Sequence, residues 1–256
     1  MATLTVLGCS GGIGAGLRTT SFLLQQGTLI DAGTGVGDLT LAQMIAIDRV
    51  FLTHSHLDHI AMLPLLVDSV GALRKTPLTV FALPETCRAL RQHVFNWEIW
   101  PDFTQIPDLL NPFLRLQEFH PGDVLQIEPG LTLRVLPAEH TVPAVAFHLD
   151  SGAGSLVFSG DTTVQQQFWD LVNGIENLRH LLIETAFSVK ERRLAEISTH
   201  LSPDMLAGEL AKLRIPANIH ITHLKPGESD LTMHQAIQHV PQHTLHMLQA
   251  GQQIHF

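Results

Sequence analysis

Along most of this chain apolar residues either alternate with polar ones or gather in short runs, and the two habits separate strands from helices. Thr3–Leu7 and Phe22–Ile30 read as strands with a glycine-rich turn between them, and Arg49–Leu52 as a short buried strand running into a loop at Thr53. Asp58–Val70 reads as an apolar helix, Leu78–Ala82 as a strand, and Pro84–His93 as a helix with proline in its first position. From Val94 to Pro121 prolines and aromatics crowd together and the pattern loosens, which predicts an insertion or lid. Strands return at Leu131–Leu136, Val145–Leu149 and Ser155–Phe158. A helix over Val164–Leu171, a strand at Leu181–Ile183, two helices within Val189–Leu213, a strand at Ile219–Thr222 and a helix at Leu231–His239 follow. No repeat, low-complexity tract or linker interrupts the series, so residues 1–256 read as one domain. Strands lead and helices follow in each half, which predicts an α/β fold of two sheets packed inside flanking helices.

Composition narrows the function. The 256 residues carry 15 Lys+Arg against 24 Asp+Glu, a formal charge of −9. Phosphate binding runs on Lys and Arg, so a general nucleic-acid binder is not expected. No apolar run is long enough to span a bilayer, and no charged n-region with a long apolar h-region opens the chain. Two cysteines, Cys9 and Cys87, cannot build a disulfide framework, and the expected compartment is the reducing cytoplasm. Sixteen histidines against two thiols point to nitrogen and oxygen metal chemistry.

The densest signal is Thr53-His54-Ser55-His56-Leu57-Asp58-His59, where an apolar strand ends and a helix begins. His54 and His56 fall on the same side of an extended segment, because side chains repeat every two residues. Asp58 and His59 lie at the helix start and point elsewhere, so one loop can feed two adjacent metals. It cannot complete both. His140, Asp161 and His223 each follow a predicted strand and are candidate ligands, and a carboxylate such as Asp161 can bridge two cations.

The series His-x-His-x-Asp-His, then a lone His, a Gly-Asp and a final His, resembles the metallo-β-lactamase superfamily. Asp31 in LIDAGTG is similar to that superfamily's first motif, whose Asp holds the ligand loop in place. The resemblance covers nearly the whole chain and implies a four-layer αβ/βα sandwich with a dinuclear site. It implies His54, His56 and His140 on one metal, Asp58, His59 and His223 on the other, and Asp161 between them. The two divalent ions would be Zn²⁺ by default, with Mn²⁺ or Fe²⁺ as alternatives for sites that include Asp.

Within the superfamily, His-Leu-Asp-His-Ile at 56–60 and the openings VLGCSGG and LIDAGTG are similar to class II cyclic-nucleotide phosphodiesterases. Ile183-Glu184 and Thr199-His200-Leu201-Ser202-Pro203 resemble that family's Glu and its Gly-His-Leu-Thr-Pro, with Thr199 where the Gly would stand. Asp58, His200 and Glu184 are the candidate catalytic residues. The reading is a phosphodiesterase acting on a small-molecule phosphodiester, a 3′,5′-cyclic nucleotide first. A homodimer is left open, and neither a membrane nor a nucleic acid is expected as partner. The alternative is RNA processing of the tRNase Z type, whose members carry a basic tRNA-gripping arm; Val94–Pro121 holds Arg115 alone against Glu98, Asp102, Asp108 and Glu118. Another hydrolase of the same fold, or a non-catalytic binding protein that keeps it, are further alternatives; the full ligand set argues against the last. Trp97, Trp100, Phe103 and Phe113 read either as a wall for a stacked base or as the insertion's own core. Ser10-Gly11-Gly12 reads as a tight turn or a phosphate cradle, and Lys225 as solvated or as a phosphate contact.

Overall fold

A computed structural model describes residues 1–256. The first half runs β1 (Thr3–Gly8), β2 (Ser21–Leu24), β3 (Thr28–Ile30), α1 (Leu41–Ala46), β4 (Arg49–Phe51), α2 (Leu57–Ile60), α3 (Leu63–Val70), β5 (Leu78–Ala82), α4 (Pro84–His93) and β6 (Leu114–Glu118). The second runs β7 (Val124–Glu128), β8 (Leu131–Ala138), β9 (Ala144–Asp150), β10 (Ser155–Phe158), α5 (Gln167–Val172), β11 (Leu178–Glu184), α6 (Arg192–Ser198), α7 (Pro203–Leu210), β12 (Asn218–Thr222), α8 (Ser229–His239), β13 (Leu245–Met247) and β14 (Gln253–His255).

Two seven-stranded sheets form, in the orders β14-β1-β2-β3-β4-β5-β6 and β13-β12-β11-β10-β9-β8-β7. Strands β3 to β6 are parallel, as are β10 to β13. Both sheets are mixed, the remaining pairs being antiparallel. One apolar layer lies between the sheets, where Phe22 meets Phe158 edge-on at 5.0 Å and Phe51 meets Phe147 at 6.3 Å. A second layer joins the first sheet to α3 and α4, and a third joins the second sheet to α5, α7 and α8. The result is the expected four-layer αβ/βα sandwich. Strands such as β2 and β10, covered on both faces, are buried at every position, which is why they read as continuous apolar runs.

Three expectations need correction. The strand expected over Phe22–Ile30 is a hairpin, because Gln25 takes φ 55° and turns the chain ahead of Gly27. The helix expected over Asp58–Val70 is two helices, since Pro64 in the first turn of α3 cannot extend α2 through it. Residues 94–113, most of the expected insertion, form no lid. Helix α4 leaves the C-terminal end of β5, and residues 94–113 return the chain to Leu114, which pairs with Leu78 at the start of β5. They therefore lie at the end of the first sheet away from His54. Phe103 and Phe113 pack into the layer beneath α3 and α4, while Trp97 is 59% exposed, so these aromatics are not a wall beside the ligands.

Candidate metal centre

Every candidate ligand stands just past a strand that runs toward one end of the sandwich. Asp31 follows β3, His54 and His56 follow β4, His140 follows β8, Asp161 follows β10, and His223 follows β12. Parallel strands deliver their C-terminal ends to the same edge, so residues far apart in the chain converge there. His56 caps α2, which carries Asp58 and His59 in its first turn. Three of the five non-glycine residues with positive φ are in this cluster: Asp31 at 56°, Thr199 at 51° and His223 at 64°. Such backbone is costly and persists where surrounding contacts enforce it.

The structure brings all seven expected ligands together. Donor atoms of His54, His56 and His140 lie within 4.8 Å of one another, as do those of Asp58, His59, Asp161 and His223. Asp161 Oδ2 sits between the two groups, 3.2 Å from His223 Nε2, 3.3 Å from His59 Nε2, 3.8 Å from His54 Nε2 and 3.9 Å from His140 Nε2. His140 Nε2 faces His56 Nδ1 at 3.1 Å, and His223 Nε2 faces Asp58 Oδ2 at 3.2 Å.

Groups outside the cluster hold the rings. Asp31, wholly buried, accepts from Thr53 N at 2.8 Å, from Thr53 Oγ1 at 2.9 Å and from His59 Nδ1 at 2.8 Å. Thr53 Oγ1 also lies 3.0 Å from His54 Nδ1. With those nitrogens engaged, His54 Nε2 and His59 Nε2 are buried and have no hydrogen-bond partner. Orphaned buried nitrogens are costly, whereas imidazole lone pairs facing a carboxylate suit a divalent cation. His140 Nδ1 donates to the Thr199 carbonyl at 3.0 Å and approaches its hydroxyl at 3.1 Å. The supporting roles of Thr53 and Thr199 were not read from the sequence, which marked Thr199 only as standing in place of a Gly. Gly11 has no side chain for good reason: a Cβ there would lie 2.4 Å from the His223 carbonyl oxygen and 2.8 Å from its Nδ1. The Gly11 N–H donates to the Leu224 carbonyl at 3.1 Å, so that donor is engaged within the protein rather than free for a phosphate. Lys225 Nζ donates to the Gly11 carbonyl at 2.6 Å rather than standing free in solvent.

Beside this cluster lie the expected His200 and Glu184. His200 Nδ1 is 2.7 Å from Glu184 Oε1, and Glu184, fully buried, also accepts from Thr162 N at 3.1 Å and Leu201 N at 3.3 Å. The His200 ring lies 4.9 Å from that of His140 and 5.0 Å from that of His223. Burial opposes a charge on His200, but the Glu184 carboxylate outweighs it and raises the imidazole above its ordinary value. Burial likewise opposes charge on Asp161, yet His223, His59 and His54 hold its carboxyl well below the usual range. A groove of about 590 Å³ opens beside His140, walled by Leu83, Pro84, Glu85, His120 and Glu139.

Residues 28–247 match the model of the beta-lactamase superfamily domain. The chain is 27% identical over 215 residues to a ribonuclease Z of Mycobacterium bovis (strain BCG / Pasteur 1173P2), covering 78% of this chain and 76% of the relative. It is 26% identical over 208 residues to a probable 3′,5′-cyclic-nucleotide phosphodiesterase of Yersinia pestis, covering 71% of this chain and 58% of that one. The metallo-beta-lactamase fold protein YhfI from Bacillus subtilis superposes with a TM-score of 0.80 at 20% identity, over 100% of both chains.

Proposed function

This chain belongs to the metallo-β-lactamase superfamily of hydrolases, and from that footing we propose that it is a dinuclear phosphodiesterase acting on small diesters, 3′,5′-cyclic nucleotides first. The observation that carries the substrate reading is the groove beside His140. Its charged walls are Glu85 and Glu139, and neither Lys nor Arg lines it. A polyanion such as precursor tRNA would meet like charge there, whereas a diester with one phosphate needs only the cluster to neutralise it.

In this reading His54, His56 and His140 would hold one divalent cation, Asp58, His59 and His223 a second, and Asp161 would touch both. Zn²⁺ is the first expectation for these donors. When bound, the pair would polarise the phosphoryl oxygens and make a water nucleophilic near neutral pH. The chain's own residues do the rest. Asp31 and Thr53 fix which nitrogen His54 and His59 present. The Thr199 carbonyl does the same for His140. Asp58, its side chain 27% exposed, keeps a face toward solvent and orients the incoming water. His200 gives a proton to the departing ribose oxygen, and Glu184 orients the ring and favours its charged form.

Purified protein loaded with Zn²⁺ or Mn²⁺ is assayed on cyclic AMP, cyclic GMP, bis(p-nitrophenyl) phosphate and a precursor tRNA. Turnover of a cyclic nucleotide with intact precursor supports the reading. Trimming of the precursor with both cyclic nucleotides inert would transfer the protein to the ribonuclease Z activity its Mycobacterium relative is named for.

A further inference from the structure

A second group of imidazoles lies away from the ligand cluster, at the free edge of the second sheet. His180 on β11, His220 on β12 and His246 on β13 come from three neighbouring strands. The register sets His246 opposite His220, and His220 opposite Leu182, whose side chain belongs to the layer between the sheets. An apolar residue would be ordinary at position 220. Instead an imidazole only 6% exposed occupies it.

Hydrogen bonding defines which nitrogen of His220 is free. The His255 carbonyl lies 3.3 Å from His180 Nε2 and can only accept, so that nitrogen carries the hydrogen. His180 Nδ1 is then an acceptor, and His220 Nε2, 3.1 Å away, donates to it. The remaining nitrogen, His220 Nδ1, is left with a lone pair, buried and without a partner. A histidine that donates one nitrogen to a fixed acceptor and presents the other bare is the arrangement that metal-binding imidazoles adopt. On the flank opposite His180 stands His246, its ring centroid 5.6 Å from that of His220. With metal–nitrogen bonds of about 2.0–2.1 Å, two imidazoles sharing one cation have centroids roughly 5–6 Å apart. Burial, with His180 and His246 nearby, pushes His220 down to about 4, so its lone pair stays unprotonated at neutral pH. Met247 and Gln249 border the same open groove, of about 700 Å³.

We propose that His220 Nδ1 and His246 form a separate mononuclear site for an imidazole-preferring late transition cation, with Cu²⁺ bound most tightly among divalent ions. The site ties β12 to β13 and is independent of the diester chemistry.

Cu²⁺ is added stepwise to the metal-replete protein and followed by visible absorption, electron paramagnetic resonance and total metal content. One Cu²⁺ per chain with nitrogen hyperfine coupling is expected beyond the metals of the central cluster. His246→Ala, at an exposed position, should weaken that binding at least tenfold while leaving turnover of bis(p-nitrophenyl) phosphate within twofold. His220→Leu, which restores an apolar residue, should abolish it. Equal Cu²⁺ affinity and stoichiometry in wild type and His246→Ala, or no Cu²⁺ held beyond the central cluster, overturns the proposal. Neither result depends on which diester the enzyme cleaves.

Discussion

Replacing His200 separates a proton donor from a merely structural histidine. A ribose alkoxide leaves poorly without a proton, whereas nitrophenolate leaves unaided. A placed general acid contributes roughly 10²–10⁴-fold, or about 2.7–5.4 kcal/mol at 1.36 kcal/mol per decade. The geometry supports a value inside that range rather than below it. His200 is held by a 2.7 Å bond to a carboxylate that is itself fixed by two backbone N–H groups, so little reorganisation is needed before transfer. His200→Ala would leave Glu184 buried with its imidazole partner gone, so His200→Gln, which keeps an N–H donor but no transferable proton, is made beside it. Both variants should lose 10²–10⁴-fold in kcat on a cyclic nucleotide and under tenfold on bis(p-nitrophenyl) phosphate. The pH profile gives a second readout. The acid form of His200 persists up to a raised pKa, so activity falls as pH climbs through that value. Glu184→Gln removes the charge that raises it, leaves burial less opposed, and should move this basic limb to lower pH. Equal losses on both substrates, or loss of bound metal in His200→Gln, would refute the role.

Three other substitutions test the frame. Asp31→Asn takes away the carboxylate shared by Thr53 and His59, and metal affinity measured by competition with a chelator should fall about 10–100-fold with the far-UV spectrum unchanged. Gly33→Ala would set a Cβ 2.5 Å from the carbonyl oxygens of Asp58 and Thr20 and from Thr19 Oγ1. Something must shift, so this variant should bind less metal by elemental analysis even though it adds only a methyl group. Trp97→Ala, at the far end of the first sheet, should leave KM for a cyclic nucleotide within about twofold, since single surface changes rarely exceed about 0.5 kcal/mol.

Strands β5 and β10 and helix α4 were legible to the residue because each is bounded by its own chemistry. β5 and β10 are short apolar runs closed by turn residues, and α4 starts on Pro84 after an extended Leu83. Among the elements that escaped are helix α1 and two sheet edges. LRLQE in β6 and VLQIE in β7 each have a solvated face and little apolar signal, so β6 read as part of the insertion and β7 as no element. The same contrast runs through the site. Ligands were visible because few residue types bind a cation and these stood in a dense His and Asp motif. Their supports were not. Thr199 acts on His140 through its backbone carbonyl, a group every residue carries, and it holds a left-handed φ of 51° that β-branched side chains avoid. A glycine would hold that conformation without strain but would lack the hydroxyl that meets His140 Nδ1 at 3.1 Å. What looked in the sequence like a departure from the related Gly-His-Leu-Thr-Pro pattern is thus, in three dimensions, a second group on the ring that presents Nε2 to the cluster. His220 escaped for the opposite reason. It lies 40 residues from His180, so only the pairing of β11 with β12 makes them a pair.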